Sequence, residues 1–154
     1  MSDLRELYQE VIIDHSKRPR NFHKLEGDCR TAEGYNPLCG DKVNVYLKIQ
    51  NGVVIQASFE GAGCAISVAA ASMMTDAIKN KSEAQVEALF QRFHDLVTGV
   101  PAQASAPELG KLEVFSGVCE FPVRVKCAAL PWHTMHNALL DAKKIASTEE
   151  GEAL

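Results

Sequence analysis

Apolar residues recur at helical spacing near the start of the chain, where Leu4, Leu7, Tyr8, Val11 and Ile12 fall at i, i+3, i+4, i+7 and i+8. That spacing places them on one stripe of an amphipathic helix, predicted from about Ser2 or Asp3 to about Ser16 and ended by Arg18-Pro19-Arg20-Asn21. Residues 22–35 mix polarities and hold two glycines, so they read as a connection with a short strand near 30–32. From Val43 the period drops to two: Val43, Val45, Leu47 and Ile49 are apolar, while Lys42, Asn44 and Lys48 are polar. Asn51-Gly52 then asks for a tight hairpin turn, because both central positions of that turn need positive φ. The return strand is predicted over 53–59, with Glu60-Gly61-Ala62-Gly63 leaving the sheet.

A helix of small residues is expected from Ile66 to about Lys79. In it Ala69, Ala70, Ala71 and Ser72 allow close approach to the sheet, and Met73, Met74 and Ile78 fill volume. A second helix starts at Ser82, which forms a capping box with Gln85. Its apolar face carries Val86, Leu89, Phe90, Phe93 and Val97, and Gly99 stops it. Residues 100–110 read as a loop, and 112–121 are moderately apolar without a clear period. A last helix is expected from near Leu130, with Pro131 in its first turn, through Leu139, Leu140 and Ile145; the polar tail from about 147 to 154 is expected to fray. There is no internal repeat and no sign of a second domain.

Composition narrows the function classes. An apolar share of 46%, with 23% charged residues, is that of an ordinary soluble globular chain, and a net charge of −4 argues against nucleic acid or an anionic membrane as partner. No cationic segment followed by an apolar run opens the chain, and no apolar stretch approaches a membrane span, so a cytoplasmic location is expected. The five cysteines, Cys29, Cys39, Cys64, Cys119 and Cys127, are an odd number in such a chain, which favours metal or thiol chemistry over a disulfide framework.

Three segments carry that chemistry: Asn36-Pro37-Leu38-Cys39-Gly40-Asp41, Gly61-Ala62-Gly63-Cys64-Ala65-Ile66-Ser67, and Val125-Lys126-Cys127-Ala128-Ala129-Leu130-Pro131-Trp132. Cys39 and Asp41 precede one strand of the hairpin and Cys64 follows the other, so antiparallel pairing brings them to one edge. Cys64 is also expected at a helix N-terminus, where unsatisfied N–H groups favour a thiolate. Three thiolates and a carboxylate make a four-ligand set for a soft divalent metal such as zinc, and Lys126 could offset part of the resulting negative charge. The plain alternative is that Cys39, Cys64 and Cys127 are small buried hydrophobes. Cys29 and Cys119 lack comparable contexts and read as structural. The histidines are weak ligand candidates, with His133 the nearest rival, six residues from Cys127; Trp132 reads as the anchor of the last helix. No phosphate loop or serine-hydrolase elbow is present.

With the motifs Asn-Pro-x-Cys-Gly-Asp, Gly-x-Gly-Cys-Ala-Ile-Ser and Arg-x-Lys-Cys-Ala-x-Leu-Pro-Trp in order, the chain resembles the SufU family, within the IscU/NifU-like iron–sulfur assembly proteins. Leu-Tyr-x-Glu-Val-Ile-x-Asp-His and Arg-Pro-Arg-Asn-Phe fit as well, so the resemblance covers about Leu4 to Ala142. It implies an α+β fold of SufE/NifU type, with a small antiparallel sheet of about three strands and helices packed on it. The whole of 1–154 would be one IscU/NifU N-terminal-like domain with an insertion at about 100–121. It implies zinc held by Cys39, Asp41, Cys64 and Cys127. It further implies that Cys39 is the catalytic acceptor of persulfide sulfur from a SufS-type pyridoxal-phosphate cysteine desulfurase, after a desulfurase histidine displaces it from the zinc. The sulfur would pass on to a downstream iron–sulfur scaffold. The alternative is that the chain is itself a scaffold for a [2Fe–2S] cluster. Scaffold-type relatives carry a histidine where this chain has Lys126, and they lack the insertion; both features favour the sulfur shuttle.

Overall fold

The computed structural model describes residues 2–140 and 146–147, with side chains from Glu6 to Leu140. In chain order these are α1 (Ser2–Lys17), β1 (Arg30–Asn36), β2 (Asp41–Gln50), β3 (Val53–Ala62), α2 (Ala65–Ile78), α3 (Glu83–Thr98), a 3-10 helix (Gly110–Glu120), α4 (Pro122–Leu139) and β4 (Ala146–Ser147). The sheet order is β3-β2-β1-β4. The first three strands are antiparallel, as expected, and the two residues of β4 add a parallel edge beside Gly34 and Tyr35. Ser147 was expected to fray and is instead paired, while Ile145 and residues 148–154 lie outside the described residues.

Strand alternation decides which face is covered. Ala32, Gly34 and Asn36 of β1, Val43, Val45 and Leu47 of β2, and Ala57 and Phe59 of β3 are all buried on one face, against which α2 and α4 pack. Contact is closest at Gly34, where an added Cβ would lie 2.0 Å from Oγ1 of Thr134 on α4. At the far end of the β2–β3 hairpin, Asn51 and Gly52 have φ of 54° and 76°, the mirror-image turn their sequence asks for.

Two helices lie outside this layer. α1 sits on α2 through Tyr8, Val11, Ile12 and His15, whereas Leu7, expected on the apolar stripe, is 53% exposed. The chain after α1 acts as a clasp. Ser72 Oγ on α2 meets His15 Nδ1 at 2.7 Å and accepts the Arg20 backbone N–H at 2.8 Å. Asn21, at φ 59°, donates its side-chain amide to Thr75 and Asp76, and its carbonyl takes the Phe59 N–H. On the other side α3 runs from the capping box of Ser82 and Gln85 to Gly99 at φ 82°. Its Phe93 stacks on Trp132 at 4.7 Å and meets Phe115 edge-on at 5.6 Å, so Trp132 does anchor the last helix.

Four boundaries differ from those the sequence suggests. β1 runs the full length from Arg30 to Asn36 and so delivers the chain directly to the Cys39 turn. β3 continues to Ala62, because Gly61 lets the strand close on β2: a Cβ there would come within 2.2 Å of the Lys42 carbonyl. Residues 110–120 form the 3-10 helix, with Leu112, Phe115 and Val118 buried at a three-residue period. α4 begins at Pro122, where the extended Phe121 and a proline in the first turn start it, and Pro131 lies in its interior. A proline there removes the N–H that would bond the Cys127 carbonyl one turn back. Cys127 is therefore on a helix and not in a loop. Among the described residues no helix is long and apolar enough to cross a membrane.

Candidate metal centre

The β1–β2 turn presents Cys39. Asn36 closes the turn at its start, with its carbonyl accepting the Gly40 N–H at 2.8 Å and its side-chain oxygen accepting the Leu38 N–H at 3.2 Å. Gly40 takes φ 72°, which a glycine adopts without strain. Cys39 is thereby left exposed at the tip, beside Leu38, which is 61% exposed.

Asp41, the first residue of β2, pairs across the sheet with Asn36 and points into the covered face, where it is 0% exposed. Its Oδ1 accepts the Cys64 backbone N–H at 2.9 Å, and its Oδ2 lies 3.4 Å from Asn36 Nδ2 and 3.9 Å from Cys64 Sγ. The β3–α2 junction reaches this carboxylate only because residue 63 is glycine: an added Cβ would stand 2.5 Å from Oδ1.

The other two thiols arrive from helices. Cys64 is the N-cap of α2, and Cys127, in the first half of α4, is 2% exposed with its Sγ 3.6 Å from Cys39 Sγ. The sulfurs of Cys39 and Cys127 and a carboxylate oxygen of Asp41 lie within 4.8 Å of one another. Cys64 stands outside that trio, beside Asp41 Oδ2, and is hydrogen-bonded to Cys127. That bond, followed by the pull of backbone N–H groups at the start of α2, holds the Cys64 thiol down at about 6. The same bond, then burial, pushes the Cys127 thiol up.

All four expected residues thus meet at one end of the sheet. Burying a carboxylate among thiols is costly unless a cation joins them, and three sulfurs with one oxygen are the donor types that zinc accepts. The remaining candidates lie elsewhere. Cys29 is half-buried in the approach to β1, with its sulfur 3.8 Å from the Leu25 carbonyl, and Cys119 is exposed at the end of the 3-10 helix. His133 packs edge-on to Phe90 at 5.2 Å and to His94 at 5.8 Å. Six helical positions at about 100° each set it about 120° around α4 from Cys127. Asn36 and Gly63 were quoted within the sequence motifs without a role. The position of Asn36 directly before Pro37, on an expected turn, is the one signal that could have marked it.

The chain has clear relatives. The family described as NifU-like N terminal domain matches residues 7–128. The zinc-dependent sulfurtransferase SufU of Bacillus subtilis is 40% identical over 138 residues, covering 90% of this chain and 92% of that protein. The iron–sulfur cluster assembly scaffold protein IscU of Streptococcus pyogenes is also 40% identical, over 141 residues that cover 90% and 86% of the two chains. Among solved structures, an iron–sulfur cluster assembly scaffold protein for the SUF system from Fervidobacterium islandicum superposes with a TM-score of 0.79 at 33% identity, over 84% of this chain and 94% of that one. Sheet, site segments and relatives agree, and the chain belongs to the family of NifU-like N-terminal domains.

Proposed function

We propose that this chain is a sulfur-transfer protein of iron–sulfur cluster assembly, in which Cys39 accepts sulfane sulfur from a cysteine persulfide on a SufS-type pyridoxal-phosphate desulfurase and passes it to a downstream scaffold. The observation that carries the reading is the asymmetry of the cluster: Cys39 is exposed on a turn tip, yet its sulfur lies 3.6 Å from buried Cys127 beside buried Asp41. A thiol so placed can meet a partner's sulfur while Asp41 and Cys127 stay out of solvent.

Cys39, Asp41, Cys64 and Cys127 would hold zinc, which keeps its sulfur ligands as thiolates at neutral pH. The transfer itself is a thiol exchange. The Cys39 thiolate attacks the terminal sulfur of the partner's R–S–SH, a new S–S bond forms at Cys39, and the partner's S–S bond breaks. The transferred sulfur keeps its proton and the partner leaves as a thiolate, so the charge moves from Cys39 to the leaving group and no net oxidation occurs. This chain contributes a rigid turn: the Asn36 side chain holds Leu38, and Gly40 bonds back to Asn36.

The scaffold reading has its own support in the equal similarity to the Streptococcus pyogenes IscU and in the Fervidobacterium islandicum structure. Lys126 weighs against it, since it stands where scaffold-type members of the family carry a histidine, the commoner metal ligand. Protein purified without oxygen should contain one zinc per chain and negligible iron and acid-labile sulfide; iron with matching sulfide would make the scaffold the correct reading. In a persulfide gel-shift assay with a desulfurase and cysteine, the wild type should gain a label on Cys39 and Cys39→Ser none. Because Cys39 is exposed, Cys39→Ser should change the stability of the metal-free chain by no more than about 0.5 kcal/mol.

A further inference from the structure

We infer that Asn36 is a positioning residue of this cluster: its side chain ties the turn carrying Cys39 to the carboxylate of Asp41 and the thiol of Cys127, and its amide donor sets how tightly the cluster holds a thiophilic divalent cation. The inference rests on the zinc reading above and deepens it.

Asn36 is 0% exposed, and a buried primary amide is costly unless its acceptor and its donors are used. Both ends are engaged. Oδ1 accepts the Leu38 N–H at 3.2 Å, the two-residue bond that lets an asparagine shape its own turn. Nδ2 stands 3.4 Å from Asp41 Oδ2 and 3.6 Å from Cys127 Sγ, the first long for a nitrogen donor and the second ordinary for sulfur, so one amide is shared between two ligand types. The turn alone explains only Oδ1. A serine or aspartate could serve there, but only an amide both accepts from Leu38 and donates to two groups that must be anionic to bind a metal.

Position reinforces the point. Cys39, Asp41 and Cys127 belong to a turn, a strand and a helix that could move independently. Asn36 is the last residue of β1, held by its pairing to Asp41, and touches the turn, the carboxylate and the helix thiol together. Outer partners that orient metal ligands typically contribute about 10–100-fold to metal affinity.

Two variants separate the roles of the side chain. Asn36→Ala removes both ends, whereas Asn36→Asp keeps an acceptor for Leu38 and replaces the donor with an oxygen facing Asp41 and Cys127. Metal-free full-length chains are titrated with zinc against a chromophoric chelator and with cobalt for its absorption spectrum. Each variant should bind about 10–100-fold more weakly than wild type, with Asn36→Asp at least as weak as Asn36→Ala. The cobalt ligand-field bands should shift in both variants while the thiolate-to-cobalt band persists. Asn36→Asp binding as tightly as wild type, or more tightly, would overturn the inference and reduce Asn36 to a turn former. Far-UV circular dichroism of the metal-free chains checks folding. Should a variant not fold, the wild-type side-chain amide decides: its NMR signal should shift and exchange more slowly on zinc addition, and an unmoved signal refutes the role. A wild-type chain that binds neither metal overturns the zinc reading together with this inference.

Discussion

Asp41 shows how one buried charge constrains its neighbours. The carboxylate has no solvent contact and is fixed by the Cys64 N–H, and that bond forms only because Gly63 has no side chain. Gly63→Ala forces a methyl group to within 2.5 Å of Oδ1, so either the carboxylate or the β3–α2 junction must shift. We expect a loss of about 1–3 kcal/mol in urea unfolding of the metal-free chain from overpacking, and zinc bound about 10–100-fold more weakly in chelator competition. A variant with unchanged zinc affinity would mean that the carboxylate is not a ligand. At this scale the sequence is informative about residue types and silent about directions. Cys39, Asp41, Cys64 and Cys127 can be picked out because thiols and carboxylates are ligand types and the hairpin carries three of them to one edge. The parts played by Asn36 and Gly63 depend on where an amide points and on what a missing methyl would touch, and neither is written in their identity.

Helices and strands were legible wherever local chemistry alone decides them. The Asn51-Gly52 turn, the Ser82 capping box and the Gly99 stop rest on bonds within a few residues, and each forms as expected. The passage of α4 through Pro131 and the 3-10 helix depend on tertiary packing: Pro131 is a poor helix-interior residue that is buried in the core, and Leu112, Phe115 and Val118 take up a three-residue period against α3 and α4. The α3–α4 contact carries a pH dependence that the sequence does not announce. His133 is mostly buried, its Nε2 has no hydrogen-bond partner among the described residues, and it faces His94 of α3 and His136 of its own helix, the latter paired with Glu87. Burial, then the two histidines, holds its pKa down to about 4, against about 6.5 in an unfolded chain. Between those values the unfolded chain binds the extra proton, so stability rises with pH and is lost as pH falls from about 6.5 toward 4, by up to about 3 kcal/mol. Urea titrations across that window should show the loss in wild type and a flatter profile in His133→Leu; identical profiles would place the acid sensitivity elsewhere.

For the molecule as a whole the question is whether the centre holds the fold or the fold holds the centre. The large buried side chains Phe59, Phe93, Phe115, Trp132, Leu47 and Met135 form a core between the sheet and the helices that includes none of the four candidate ligands. The centre sits at one end, where it would cross-link the β1–β2 turn, the β3–α2 junction and α4. Removing zinc should therefore weaken the chain without unfolding it. Free zinc at a thousand times its dissociation constant adds about 4 kcal/mol, and about 2–4 °C of midpoint shift per kcal/mol at this chain length gives a fall of about 8–16 °C on chelation. The metal-free chain should keep its helical circular dichroism and a cooperative transition. A chain that loses its helical signal on chelation would instead be a structural zinc domain, and Cys39 could not then leave the metal to collect sulfur without the fold failing. Retention of the fold with a lowered midpoint is the outcome that sulfur transfer requires, since the exposed thiol must be free to exchange partners while Asp41, Cys64 and Cys127 stay where the strands and helices put them.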